Sequence, residues 1–92
     1  MSVKVRIPAP LRAITAGESV VSVGAESVDG VLTELESLFP AIRQRLRDEE
    51  GALRRFVNLY VNGEDVRFLQ GLKTDVKSGD EVSIIPAVAG GC

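Results

Sequence analysis

The sequence predicts a single α+β domain in which a mixed sheet is crossed by one main helix. Three observations carry this reading. Short apolar runs at 3–7, 18–23 and 56–61 surround one amphipathic stretch at 28–39. An Asn62-Gly63 pair marks a hairpin after the third run, and a last apolar run, Glu81-Val82-Ser83-Ile84-Ile85, closes the domain. Two strands, a crossover helix and a final strand that must pair centrally require a mixed sheet with the helix on one face.

Val3-Lys4-Val5-Arg6-Ile7 alternates apolar and charged residues, as a half-buried strand does. Pro8-Ala9-Pro10 stops it, and Ala16-Gly17 is a second break before Glu18 to Val23, the returning arm of a hairpin. Ser27 stands in N-cap position, with Asp29 in the first turn, where the helix dipole favours an acid. Val28, Val31, Leu32, Leu35, Leu38 and Phe39 recur at helical spacing, while Glu34, Glu36 and Ser37 take the opposite face. Pro40 ends or kinks this helix, 41–46 adds a short turn or two, and Asp48 to Gly51 is a polar loop. The third strand, Phe56 to Val61, sets Val57, Leu59 and Val61 on one side. Asn62-Gly63 suits the type I′ turn, which needs positive φ at both positions, and Val66-Arg67-Phe68 is the expected short returning strand. Leu72 to Gly79 has room for one helical turn, and Ser78-Gly79-Asp80 leads into the last strand.

Composition narrows the function. At 92 residues the chain makes one core and not two. A hydrophobic content of 45% argues for a packed globule. The net charge of −2 argues against nucleic acid as the main partner. No apolar stretch is long enough to span a bilayer, so no membrane partner and a cytoplasmic location are expected. A single cysteine excludes an internal disulfide, and the absence of histidine removes the commonest general base and metal ligand. No catalytic residue, metal site or bound cofactor is expected in the body of the domain.

The ending is different in kind. Residues 1–86 read as the domain and 87–92, Ala-Val-Ala-Gly-Gly-Cys, as a tail. Small residues cannot bury enough surface to order themselves, so the tail is expected to be a mobile thread that orders only in a complex. Gly90 and Gly91 remove side chains near its end and suit passage through a narrow channel.

The arrangement is that of a β-grasp, and three stretches bring it close to a known family. They are 55–68 around Asn-Gly-Glu-Asp, 78–86 with Ser-Gly-Asp-Glu-Val-Ser-Ile-Ile-Pro, and the Ala87-Val88-Ala89-Gly90-Gly91 ending. Together they resemble the ubiquitin-like sulfur carriers, which include the small subunit of molybdopterin synthase, the thiamine-pathway carrier and carriers of cysteine biosynthesis. The resemblance covers essentially the whole chain and is strongest to the cysteine-pathway carriers. It implies a non-enzymatic protein whose Gly91 carboxylate is adenylated with ATP and Mg²⁺ by a ubiquitin-activating-type adenylyltransferase and sulfurtransferase. Sulfur then displaces AMP to leave a thiocarboxylate, which donates sulfur to a cysteine-synthase-like enzyme or to siderophore or other thio-metabolite assembly. Insertion into molybdopterin synthase and conjugation as a ubiquitin-type protein modifier are the alternatives.

Cys92 departs from that pattern, because it holds the Gly91 carboxyl in a peptide bond. Three origins stay open: an encoded cap removed by a zinc-dependent (JAMM-type) protease, a cysteinyl product of the pathway, or a residue added artificially. The encoded extension is favoured. Two further features lie in the body of the domain. If Val57, Leu59, Val61, Val82 and Ile84 face the helix, then Phe56, Tyr60 and Ile85 form an apolar patch on the open side of the sheet, suited to docking a partner. Arg43, Arg45, Arg47, Arg54 and Arg55 concentrate basic charge and are read as a solvated face balanced by Asp48, Glu49 and Glu50.

Overall fold

The computed structural model of the chain describes residues 2–86. Five strands, β1 (Val3–Arg6), β2 (Val20–Val23), β3 (Val57–Val61), β4 (Glu64–Asp65) and β5 (Glu81–Pro86), form one sheet in the order β2-β1-β5-β3-β4. The last strand lies in the middle. It runs parallel to β1, pairing Lys4 with Glu81 and Arg6 with Ser83, and antiparallel to β3, from Val57 opposite Pro86 to Val61 opposite Val82. The mixed sheet expected from the order of elements is the one observed.

Helix α1 (Val28–Leu38) packs across one face of the sheet. The Ser27 hydroxyl accepts the Gly30 N–H at 3.1 Å and caps it, as the sequence suggests. Val28, Val31, Leu32 and Leu35 are fully buried against Val5, Leu59, Val82 and Ile84 in a single core. At its C-terminal end the apolar stripe divides. Phe39 leaves the helix as its C-cap and packs on the core, whereas Leu38, at the margin of the stripe, is 56% exposed. A 3-10 turn at Pro40–Ile42 leads into α2 (Arg43–Leu46), which buries Ile42 and Leu46.

Two strand boundaries differ from the sequence expectation. Val66–Phe68 is a 3-10 turn rather than the returning strand, because a two-residue I′ turn pairs the chain at once: Val61 meets Glu64 and Tyr60 meets Asp65. The Asp65 carboxylate then accepts the Arg67 N–H at 2.9 Å and starts the 3-10 turn, which buries Val66. Phe56 precedes β3 in a turn closed by the Val57 N–H donating to the Arg54 carbonyl, so it is not a strand residue. Asn62 and Gly63 do adopt φ of 51° and 89°.

The arginine cluster is not a uniformly solvated face. Arg47 is buried, donating from Nε to Glu36 Oε2 at 2.6 Å and from a terminal nitrogen to Asp29 Oδ1 at 2.9 Å and the Gly51 carbonyl at 3.1 Å. Asp29 and Glu36 lie two turns apart on one flank of α1, which places both carboxylates over the same guanidinium. Burial works against its charge, but the hydrogen bonds to Glu36 and Asp29 outweigh it and hold the Arg47 pKa above its usual value. Glu36 is accordingly tucked against the domain, not on the solvated face. Asp48, expected to balance these arginines, instead accepts the N–H groups of Glu50 and Ala52 and shapes its own loop.

Replacing Arg47 by Ala leaves Glu36, only 13% exposed, without its main partner. The expected loss is about 3 kcal/mol in denaturant unfolding. Arg43→Ala removes an exposed arginine 3.9 Å from the same carboxylate and should cost only about 0.5 kcal/mol. Equal losses at the two positions would show that the buried pair contributes nothing special.

Asp80 governs a second junction. Its carboxylate accepts from the Asn62 side chain at 3.1 Å and from the Lys77 N–H at 2.8 Å, and these bonds lower its pKa from the ordinary 3.8. The charged form is favoured by folding, so its contribution is present above the unfolded value and is lost as pH falls through the folded one. Asp80→Asn should therefore reduce stability at neutral pH and flatten the decline below about pH 4. Thermal unfolding across that pH range reads both effects.

Candidate functional site

Alternation along β5 divides its side chains between two environments. Val82 and Ile84 enter the core at 0% and 2% exposure, while Ser83 and Ile85 point to the face that carries no helix. Asn58 lies directly opposite Ile85, and Tyr60 opposite Ser83, so Tyr60 and Ile85 are diagonal neighbours on that open face. Ile85 is 47% exposed and Phe56 53%, so no loop among the described residues covers them. Phe56 stands in the turn beside the last ladder pair, Val57–Pro86, and not in line with Tyr60.

Several members of this surface were not read from the sequence. A shallow cleft borders Ile85, lined by Arg6, Pro8, Arg12, Val20 and Ser83. Val20, 40% exposed, extends the apolar surface toward the β2 edge. Arg6 crosses to Glu81 at 2.9 Å, a pair that parallel register makes possible and that chain order hides. Arg67 donates to Asn58 Oδ1 at 2.6 Å and to the carbonyls of Arg55 and Val57 at 3.1 Å each. It therefore braces the start of β3 against the 3-10 turn that follows β4, next to where β5 ends. The Asn62-Gly63 turn signal hinted that β3 and the segment after it are neighbours, but not which side chains meet there.

The expected tail residues Gly90, Gly91 and Cys92 lie outside the described residues. What the described part presents is an apolar surface around Ile85 and Phe56, bordered by Arg6 paired with Glu81 and by Arg67 bonded to Asn58 and two backbone carbonyls. Among the described residues no helix is long and apolar enough to cross a membrane.

Comparison with known proteins decides the family. The sequence matches the ThiS family over residues 5–91. The chain belongs to the ThiS family. It is 48% identical over 93 residues to the sulfur carrier protein CysO of Mycobacterium tuberculosis, covering 99% of this chain and 100% of that one. A chain in the crystal structure of the Amycolatopsis orientalis BexX/CysO complex is 48% identical and superposes with a TM-score of 0.90, over 97% of this chain and 99% of its own. Small archaeal modifier protein 3 of Haloferax volcanii is 40% identical over 65 residues, which is 71% of this chain and 70% of that protein. The full-length likeness supports a sulfur carrier protein of the CysO type, a β-grasp carrier rather than an enzyme.

Proposed function

We propose that this ThiS-family chain carries sulfur as a thiocarboxylate on Gly91 and works in the cytoplasm, with cysteine biosynthesis as the receiving pathway. The full-length likeness to CysO is the observation that carries the reading. A free Gly91 carboxylate is anionic and a poor electrophile. An activating partner uses ATP and Mg²⁺: the carboxylate attacks the α-phosphorus, pyrophosphate leaves, and a mixed anhydride with AMP forms. A sulfur nucleophile then displaces AMP. The Gly90-Gly91 pair keeps Cβ atoms out of the channel in which this happens, and the acceptor is a cysteine-synthase-like enzyme or one of siderophore or thio-metabolite assembly.

Cys92 must leave first. Its amide with Gly91 is resonance-stabilised and offers no carboxylate to ATP, so a separate hydrolase has to act. A zinc-bound hydroxide suits the task, because coordination brings the pKa of water to about 7. The full-length chain should stay at its mass when incubated with an activating enzyme, ATP, Mg²⁺ and sulfide. A chain ending at Gly91 should gain the mass difference of sulfur replacing oxygen. Thiocarboxylate formation with Cys92 still attached would falsify the capped-carrier reading.

The open face around Tyr60, Ile85 and Phe56 is where the activating partner docks in this reading. That a relative is found in a BexX/CysO complex agrees with a carrier that forms protein complexes. Tyr60→Asp and Ile85→Asp each place a charge that the interface would have to desolvate, at a cost of several kcal/mol. Both variants should unfold cooperatively and fail to be adenylated by a partner that activates the unsubstituted chain. Normal adenylation of both moves the docking site elsewhere.

The likeness to a small archaeal modifier protein favours a second reading, conjugation to other proteins. Isopeptide-linked species on target lysines in cell extracts would support it over the carrier role, and their absence alongside thiocarboxylated chain would reject it.

A further inference from the structure

The two edges of the sheet are built differently. β4 consists of Glu64 and Asp65 and turns immediately into 3-10 structure, so brevity and like charge guard it against pairing. β2 has neither protection. Val20-Val21-Ser22-Val23 holds no charge and no proline, and its register with β1 is unbroken from Val3–Val23 to Arg6–Val20.

Its backbone groups divide in a definite way. The Ile7 N–H donates to the Ser19 carbonyl at 2.8 Å, which marks that position as a hydrogen-bonded pair of the antiparallel ladder. Such pairs recur at every second residue, so Val21 and Val23 direct their N–H and C=O groups at β1. Val20 and Ser22 direct theirs outward, and among the described residues those groups meet no backbone partner.

We infer that β2 is a pairing edge whose occupant is a second copy of this chain, joined antiparallel, β2 to β2, about a two-fold axis at Val21. In that register Val20 stands opposite Ser22 of the second copy, and Ser22 opposite Val20. Each pair exchanges two N–H···O=C bonds, which uses every outward group on both strands. Glu18 falls opposite Gly24 and Ser19 opposite Val23, so no like charges meet. The absence of charge in β2 is what makes the self-pairing register free of repulsion; on β4, Glu64 and Asp65 would face carboxylates again. The contact is isologous and closes at two chains. β1 separates β2 from β5 in the sheet, so the new ladder uses no backbone group of β5, while the cleft that joins Val20 to Ile85 lies beside it. The inference is independent of the carrier reading and stands or falls separately from it.

A four-residue ladder is a small interface, and small interfaces are transient, so concentration is the variable to scan. The experiment is sedimentation equilibrium of the full chain over a concentration series, with reductant to keep Cys92 from linking chains, paired with amide exchange at Val20 and Ser22. The expected result is an average mass rising from one chain toward two as those two amides gain protection. Ser22→Pro removes an outward donor while leaving the β1 ladder intact, and Val20→Lys adds a charge at the edge without touching the backbone. Both should stay monomeric at every concentration with thermal unfolding near that of the unsubstituted chain. The proposal is overturned if the unsubstituted chain remains monomeric at the highest concentration, or if both variants dimerise as it does. It is equally overturned if Val20 and Ser22 gain protection only when another protein is added and the chain alone stays single, which would assign the edge to a foreign strand.

Discussion

The strand that comes last in the chain is the one the sheet cannot do without. β5 is held on one side by β1 and on the other by β3, and among the described residues the sheet joins the hairpins β1–β2 and β3–β4 through it. An isolated two-stranded ribbon is marginal in water, so neither hairpin has an independent claim to stability until β5 enters between them. The closure is also distant in sequence: the Arg6–Glu81 bond spans 75 residues. Loop entropy is spent before that contact forms, which places the decisive pairing late in folding. The same arrangement means that anything attached after Pro86 is attached to the best-held strand of the domain. A force or torque on the C-terminus is resisted by two ladders and by Val82 and Ile84 in the core.

Arg47 plays the corresponding part on the helix side. The segment from Pro40 to Phe56 has little regular structure, and Arg47 ties it to α1 through Asp29 and Glu36, and to its own loop through Gly51. A guanidinium suits this junction because it offers several donors in a rigid fork, where an ammonium would offer a point charge. Burying it is tolerable because two carboxylates and a backbone carbonyl surround it. Leu46 beside it is fully buried, so the polar junction and the apolar anchor act on the same short helix.

These two constraints were unequally legible. The central last strand could be read because parallel pairing requires a crossover, and the only crossover with helical periodicity is 28–39. The N-cap at Ser27 and the turn at Asn62-Gly63 were legible too, since each residue type has a backbone reason to be there. Arg47 was not, because a run of arginines among acids has the composition of a solvated face. Only the spatial coincidence of Asp29 and Glu36 on one flank of α1 distinguishes it. Phe56 and Val66–Phe68 were misplaced by small shifts for a related reason: turn hydrogen bonds from Val57 to Arg54 and from Arg67 to Asp65 decide where a ladder stops, and apolar periodicity does not report them. The open face was half-read. Parity along β3 and β5 gave Tyr60 and Ile85, whereas Val20, Arg6 and Arg67 join them through strand pairings and contacts that chain order conceals.

The composition of that face fits a carrier better than it fits an enzyme. In the proposed reading the carrier presents one tail to several proteins in turn, so its recognition surface has to be acceptable to different partners. Apolar burial is non-directional and tolerates different complements. Directed charges do not, unless they are already satisfied within the domain. Around the end of β5 the apolar side chains Ile85 and Phe56 are exposed, while Arg6 is engaged by Glu81 and Arg67 by Asn58 and two carbonyls. A partner covering this surface gains apolar contact without having to supply a matching carboxylate for each arginine. In the proposed reading, discrimination between partners falls to whatever each does with the residues beyond Pro86, where that reading places the sulfur chemistry.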